Sequence, residues 1–183
     1  MNQSSPRQAN RSLDGDALMR VAQGEQGAMG DVYDRHARAL LEFAARIVGR
    51  NDAEDVVHTV FLRAARLAAT YDDRIATARS WLFGITSHVL QERRRSLGRM
   101  LRAMVRLDSG RLPREMPSIG DRRDIARGLE TLSEAQRLVV ILCDVEGFSG
   151  DEIAQMLGIP VGTVWTRVYH ARRKLRAFLA ESS

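Results

Sequence analysis

GDEIAQMLGIPVGTVWTRVYHARRKLR, residues 150–176, places a glycine and a proline two positions apart between two apolar patterns of helical period. Gly158 stands where helices commonly end in the left-handed conformation, and Pro160 stands where a helix begins but cannot continue. The stretch therefore predicts helix, tight turn, helix, the last running from about Val161 to Leu179. On it Val164, Val168, Ala171, Leu175 and Phe178 advance by four, three, four and three residues, which makes one stripe to be buried. At about 100 degrees per residue the free face carries Thr166, Tyr169, His170 and Arg173, with Trp165, Arg172 and Arg176 at its sides. Gly162–Arg176 holds five basic side chains and no acid. In a helix-turn-helix the second helix meets base edges with its N-terminal half while surrounding arginines hold phosphates. A solvated basic face is the ordinary meaning of such a run, and helical hairpins also occur without nucleic acid. The complete absence of acids favours DNA.

Working outward, Ser133 with Gln136 and Ser149 with Glu152 each form the spacing of a capping box, and Gly147 stands at a helix end. Two short helices are thus expected before the basic one. Upstream, RLDSGRLPREMPSIGD contains two prolines, two glycines and little apolar periodicity, so residues 104–121 read as a linker. From residue 13 to 103 apolar residues recur three and four apart, with no strand alternation. There NDAEDVVHTVFLRAARLAA opens with Asn51 as expected cap and Glu54 as its capping-box partner, and Val56, Val57, Val60, Phe61, Ala64 and Leu67 form a stripe. SWLFGITSHVLQERRRS is apolar on one side and arginine-rich at its end. Residues 1–12 are polar and are expected to be a disordered tail. The fold class is all-α: two small helical domains, residues 13–103 and 122–181, joined by a flexible linker.

A formal charge of +5 and a pI near 10.3 favour an anionic partner. Cys143 lies in the apolar run LVVILCDV and reads as a small buried hydrophobe. His36, His58, His88 and His170 lack the spacing of a metal site, and no catalytic serine, cysteine or glycine-rich motif is present. No enzyme activity, cofactor, metal or small-molecule substrate is expected. Apolar runs fall short of the roughly 18 residues that span a bilayer, so a cytoplasmic location without membrane insertion is expected.

The segment LSEAQRLVVILCDVEGFSGDEIAQMLGIPVGTVWTRVYHARRKLR resembles the end of the bacterial sigma-70 family, specifically its compact extracytoplasmic-function group. DAEDVVHTVFLRAAR is similar to that family's polymerase-binding helix and SWLFGITSHVL to its promoter-melting helix. Two resemblances in this order, separated by a linker, make coincidence a poor explanation. The resemblance implies a front domain that binds the clamp helices of core RNA polymerase and opens the minus-ten element. It implies a rear domain that contacts the polymerase flap and reads the minus-thirty-five element. Carried onto this chain, the polymerase-facing residues are Asp52, Glu54, Asp55, His58 and Arg63, although Asp52 fits plain helix capping equally well. The minus-ten residues are Arg74, Arg79, Ser80, Phe83, His88, Gln91, Arg94 and Arg95, drawn from the Asp72–Ser80 loop and the helix after it; Trp81 is expected in the core. The minus-thirty-five residues are Thr163, Trp165, Thr166, Arg167, Tyr169, His170, Arg172, Arg173 and Arg176. Gly84, His88, Trp165 and His170 depart from the family's usual residues, the last two at positions that are usually basic. An anti-sigma partner and a monomeric free state are further implications.

Two rival functions remain open at this level. A helix-turn-helix regulator acting without polymerase leaves the front domain unexplained. A sigma mimic that sequesters an anti-sigma factor gains nothing from Arg167, Arg172, Arg173 and Arg176.

Overall fold

The computed structural model describes residues 6–105 and 127–181, with side chains described for 13–96 and 127–180. The described residues are helices and their connections, as the all-α expectation requires. The chain divides into two units, Met1–Val89 and Leu90–Ser183.

The first unit contains α1 (Pro6–Ala22), α2 (Ala28–Val48), α3 (Arg50–Leu67), a 3-10 turn at Ala68–Thr70 and the start of α4 (Ala78–Val105). α1 begins at Pro6 rather than near Leu13, so residues 6–12 of the expected tail are helical. Proline is well suited to the first helical position, where its missing N–H has no partner to lose. α2 buries Val32, His36, Leu40, Phe43, Ala44 and Ile47, and α3 buries Ala53, Val56, Val57, Val60, Phe61 and Ala64. Phe43 and Phe83 meet at 5.0 Å between ring centroids and Tyr33 and Phe61 at 4.7 Å. A fully buried Leu or Phe of this kind contributes about 1.5–3 kcal/mol.

The expected Asn51 cap is not formed. α3 starts two residues earlier than that cap would set, at Arg50, with Gly49 at its N-cap and no side-chain cap. Gly49 has φ +89, a conformation other residues rarely take, and its N–H bonds Ala45 O at 3.0 Å. The reversal from α2 into α3 is therefore made by backbone, and Asn51 already lies inside the first turn.

The second unit continues α4 and contains α5 (Glu134–Val140), a π turn at Ile141–Val145, α6 (Gly150–Leu157) and α7 (Val161–Glu181). Residues 104 and 105 of the expected linker still belong to α4, and the rest of it lies outside the described residues. Both rear capping boxes are present: Ser133 accepts from Gln136 N and Ser149 from Glu152 N, with the reciprocal side-chain bonds made. Gly158 adopts φ 62 and closes α6, Ile159 N bonds Ala154 O at 3.1 Å, and Thr163 N and Val164 N bond Pro160 O at 2.9 and 3.3 Å. Leu138, Val139, Ile141, Leu142, Phe148, Ile153, Met156, Val164, Val168 and Ala171 are buried. Arg137, also buried, donates Nε–H to Leu129 O at 2.8 Å and so serves the fold.

Candidate nucleic-acid interface

α7 is positioned by its apolar stripe. Val164, Val168 and Ala171 are fully buried, while Leu175 and Phe178 at the C-terminal end are half-buried. The opposite face is left outward: Trp165, Thr166, Tyr169, Arg173 and Arg176 are exposed, and Thr163, Arg167 and His170 are half-buried. Thr166 donates its hydroxyl to Gly162 O at 2.8 Å, which leaves its oxygen lone pairs outward as acceptors. The Tyr169 and His170 rings meet edge to face at 5.4 Å. Trp165, Val168, Tyr169, Arg172, Arg173 and Arg176 line a shallow groove of about 210 Å³ along one flank of the helix.

Arg172 differs from its neighbours. Its Nη2 donates to Asp144 Oδ1 at 2.5 Å and its Nε to Asp144 Oδ2 at 3.1 Å, a two-pronged pair to the π turn. The Arg172 guanidinium holds the Asp144 carboxyl below its ordinary value against some opposition from burial. Burial, then the neighbouring Asp144 charge, pushes the Cys143 thiol up, so this cysteine is less ionised than a free one. Arg172 is thus paired within the second unit, but the pair is exposed, with 44% and 36% of the two side chains accessible, and such a pair contributes only about 0–1 kcal/mol, so Arg172 keeps its place among the candidate phosphate ligands. Asp144 escaped sequence reasoning, although it is the one acid in LVVILCDV.

Gly150 was also missed. An added Cβ there would stand 2.6, 2.7 and 2.9 Å from Cζ2, Cε2 and Nε1 of Trp165, so the indole rests directly on the first residue of α6. The signal available in the sequence was a glycine immediately after the Ser149 cap.

In the first unit Asp52, Glu54, Asp55 and His58 are exposed and Arg63 is half-buried, on the side of α3 away from its core stripe. The loop before α4 is tied by Arg74, whose Nη2 reaches Asp72 Oδ2 at 2.6 Å and whose backbone N–H reaches Asp72 Oδ1 at 2.9 Å. Hydrogen bonds from the Arg74 side chain and backbone hold the Asp72 carboxyl down at about 2. α4 begins at Ala78, so Arg79 and Ser80 are helical rather than part of the loop. Ser80 is buried, its hydroxyl 3.0 Å from Thr77 O, which corrects its expected exposure to DNA. Phe83 is 1% exposed and packs on Phe43, so its ring is core and not a stacking surface. Arg79 lies 4.7 Å over that ring. Trp81, expected in the core, is only half-buried, with its ring 5.3 Å from that of Tyr71. The α4 residues His88, Arg94 and Arg95 are exposed and Gln91 is half-buried.

Among the described residues no cluster of three or more His, Cys, Asp or Glu is arranged to hold a metal, and no helix is long and apolar enough to cross a membrane.

The described residues thus form two helical units, the second a capped helix-turn-helix whose last helix carries five basic side chains and no acid from Gly162 to Arg176, the architecture of the helix-turn-helix class. Residues 32–100 match Sigma-70 region 2, and residues 122–175 match Sigma-70, region 4. The chain is 35% identical over 167 residues to the ECF RNA polymerase sigma factor SigL of Mycobacterium tuberculosis, covering 88% of this chain and 94% of that one. It is 34% identical over 173 residues to SigE of Mycolicibacterium smegmatis, covering 88% of this chain and 66% of the longer relative. The solved structure of the sigma factor RpoE with the anti-sigma factor NepR from Bartonella quintana matches with a TM-score of 0.70 at 25% identity, over 84% of this chain and 98% of that one. That of CnrH with the cytosolic domain of CnrY matches at 0.68 and 28%, over 93% and 99%. The chain belongs to the extracytoplasmic-function sigma factors of the sigma-70 family.

Proposed function

We propose that this chain directs core RNA polymerase to a particular set of promoters in the bacterial cytoplasm. The exposed face of α3, with Asp52, Glu54, Asp55 and His58, engages the polymerase clamp helices. Arg74, Arg79, His88, Gln91, Arg94 and Arg95 serve the minus-ten element, and α7 reads the minus-thirty-five element through Thr163, Thr166, Arg167, Tyr169, His170, Arg172, Arg173 and Arg176. The observation that carries this is the outward face of α7, which has no acid from Gly162 to Arg176 and is presented by a capped helix-turn-helix.

The mechanism is positioning. No bond is made or broken by these side chains; arginines neutralise phosphate while polar and aromatic groups meet base edges. Strand opening follows from differential binding, because extracting a base costs a few kcal/mol that single-strand contacts must offset. Anti-sigma control is part of the proposal, supported by kinship to RpoE, whose solved complex holds the anti-sigma factor NepR.

Run-off transcription tests the whole. Purified bacterial core polymerase on genomic fragments should yield discrete new start sites when this chain is added. Failure to bind core in the absence of any inhibitor would remove the proposal.

A further inference from the structure

Trp165 occupies the fifth position of α7, in the N-terminal half that faces base edges in a helix-turn-helix. Its side chain is divided between two environments. The edge made of Nε1, Cε2 and Cζ2 is turned onto Gly150, where no Cβ intervenes. The residue nevertheless remains 49% exposed. An indole has one polar atom, Nε1, and here that nitrogen lies 2.9 Å from where a Gly150 Cβ would stand. The remaining ring atoms are carbon, with no charge for a phosphate and no group to bond a base heteroatom.

A carbon surface in a major-groove reading helix has one complementary feature on DNA, the 5-methyl of thymine. Neighbouring side chains sharpen the contrast, since the groove beside Trp165 is also lined by Arg172, Arg173 and Arg176. We propose that Trp165, seated on Gly150, is a specificity-determining residue that selects thymine at one position of the upstream promoter element by contact with its methyl group. This rests on the proposed role of α7 in reading that element. Gly150 acts as a positioning residue: a larger side chain there displaces the indole and turns its carbon edge away from the DNA.

The test uses holoenzyme assembled from the full chain and bacterial core polymerase. A duplex library randomised over the upstream element is selected for binding, and each thymine of the selected element, on either strand, is then replaced singly by uracil, which lacks only the methyl. One replacement should weaken wild-type binding about fourfold, the worth of one buried methyl group. The same replacement should leave the Trp165→Ala holoenzyme unchanged. Trp165→Arg should lose the thymine preference and steepen the salt dependence by about one phosphate contact. For the seat, Gly150→Ala should lower the melting temperature of the free chain in the wild-type background and should not do so with Trp165→Ala. Equal binding of thymine and uracil at every position, or a uracil effect that persists in Trp165→Ala, overturns the inference and leaves the sigma function standing. Holoenzyme that selects no upstream sequence at all removes the DNA-reading role of α7 and this inference with it.

Discussion

Replacing Asp14 by Asn should unfold the first unit at much lower denaturant while leaving the second untouched. Asp14 lies on α1, 4% exposed, and accepts from Arg35 Nε at 2.6 Å and from His36 Nε2 at 2.9 Å, both on α2. Burial pushes its carboxyl up, but the hydrogen bonds and charges of His36 and Arg35 more than offset this, and its pKa falls below the ordinary 3.8. Removing one member of a buried ion pair costs about 3–5 kcal/mol because the other charge is left uncompensated. Asn keeps one acceptor oxygen but turns an N–H₂ toward a site of donors, and Arg35, with 26% of its side chain exposed, recovers some hydration. The expected loss is therefore about 2–4 kcal/mol, a large share of the 5–15 kcal/mol that typically holds a domain.

The two tryptophans make the assay specific, since Trp81 lies in the first unit and Trp165 in the second. In a Trp165→Phe background, urea denaturation followed by Trp81 fluorescence reports the first unit alone. The pH dependence has a fixed sign. A folded pKa below the unfolded one means that the unfolded chain binds more protons, so this stabilisation is complete above 3.8 and is lost as pH falls through the lower folded value. The gap between wild type and Asp14→Asn should be full near neutrality and should shrink below 3.8. A loss under about 1 kcal/mol near neutrality, the range of an exposed pair, would refute the assignment of Asp14 as the buried link between α1 and α2.

Three further outcomes are expected. Arg173→Ala should flatten the slope of log affinity against log salt for holoenzyme on its promoter by about 0.9, and Arg172→Ala should flatten it less because its fork is already held by Asp144. Ser149→Ala should destabilise the second unit by about 1 kcal/mol in thermal denaturation, the usual worth of a capping side chain. Phe83→Ala should cost the first unit about 3–5 kcal/mol in the same urea assay, and Phe83→Leu far less, a pattern expected of a core ring and not of a base-stacking one.

What was legible in the sequence was what depends on near neighbours. A capping box needs only residues three apart, and both rear boxes form as read; Gly158 marks the turn because it adopts φ 62 without a Cβ clash, and Pro160 because its ring fixes its own φ. The buried stripe on α7 follows from helical period and is found at Val164, Val168 and Ala171. Asn51 failed by the same standard of locality. The Asn51–Glu54 spacing is a sound local signal, yet Gly49 reverses the chain first and takes the cap position.

What was not legible depends on which neighbour a side chain meets across the fold. Period alone puts Trp81 and Phe83 on one amphipathic helix with no means of ranking them, and only packing against Phe43 makes Phe83 core while Trp81 stays half-buried beside Tyr71. Arg172 and Arg173 are adjacent in the chain and chemically identical, but a π turn, an irregularity with no sequence signature here, carries Asp144 to the first and not to the second. The same holds for Trp165. Read along the helix it is an aromatic residue where a base is usual, and nothing local says whether that exchange is a loss. Its indole on Gly150 supplies what the helix alone does not, because a position without a Cβ admits the ring of a residue on a different helix. If α7 reads DNA as proposed, its surface is set partly by α6, and a promoter preference inferred from α7 residues alone would omit Gly150.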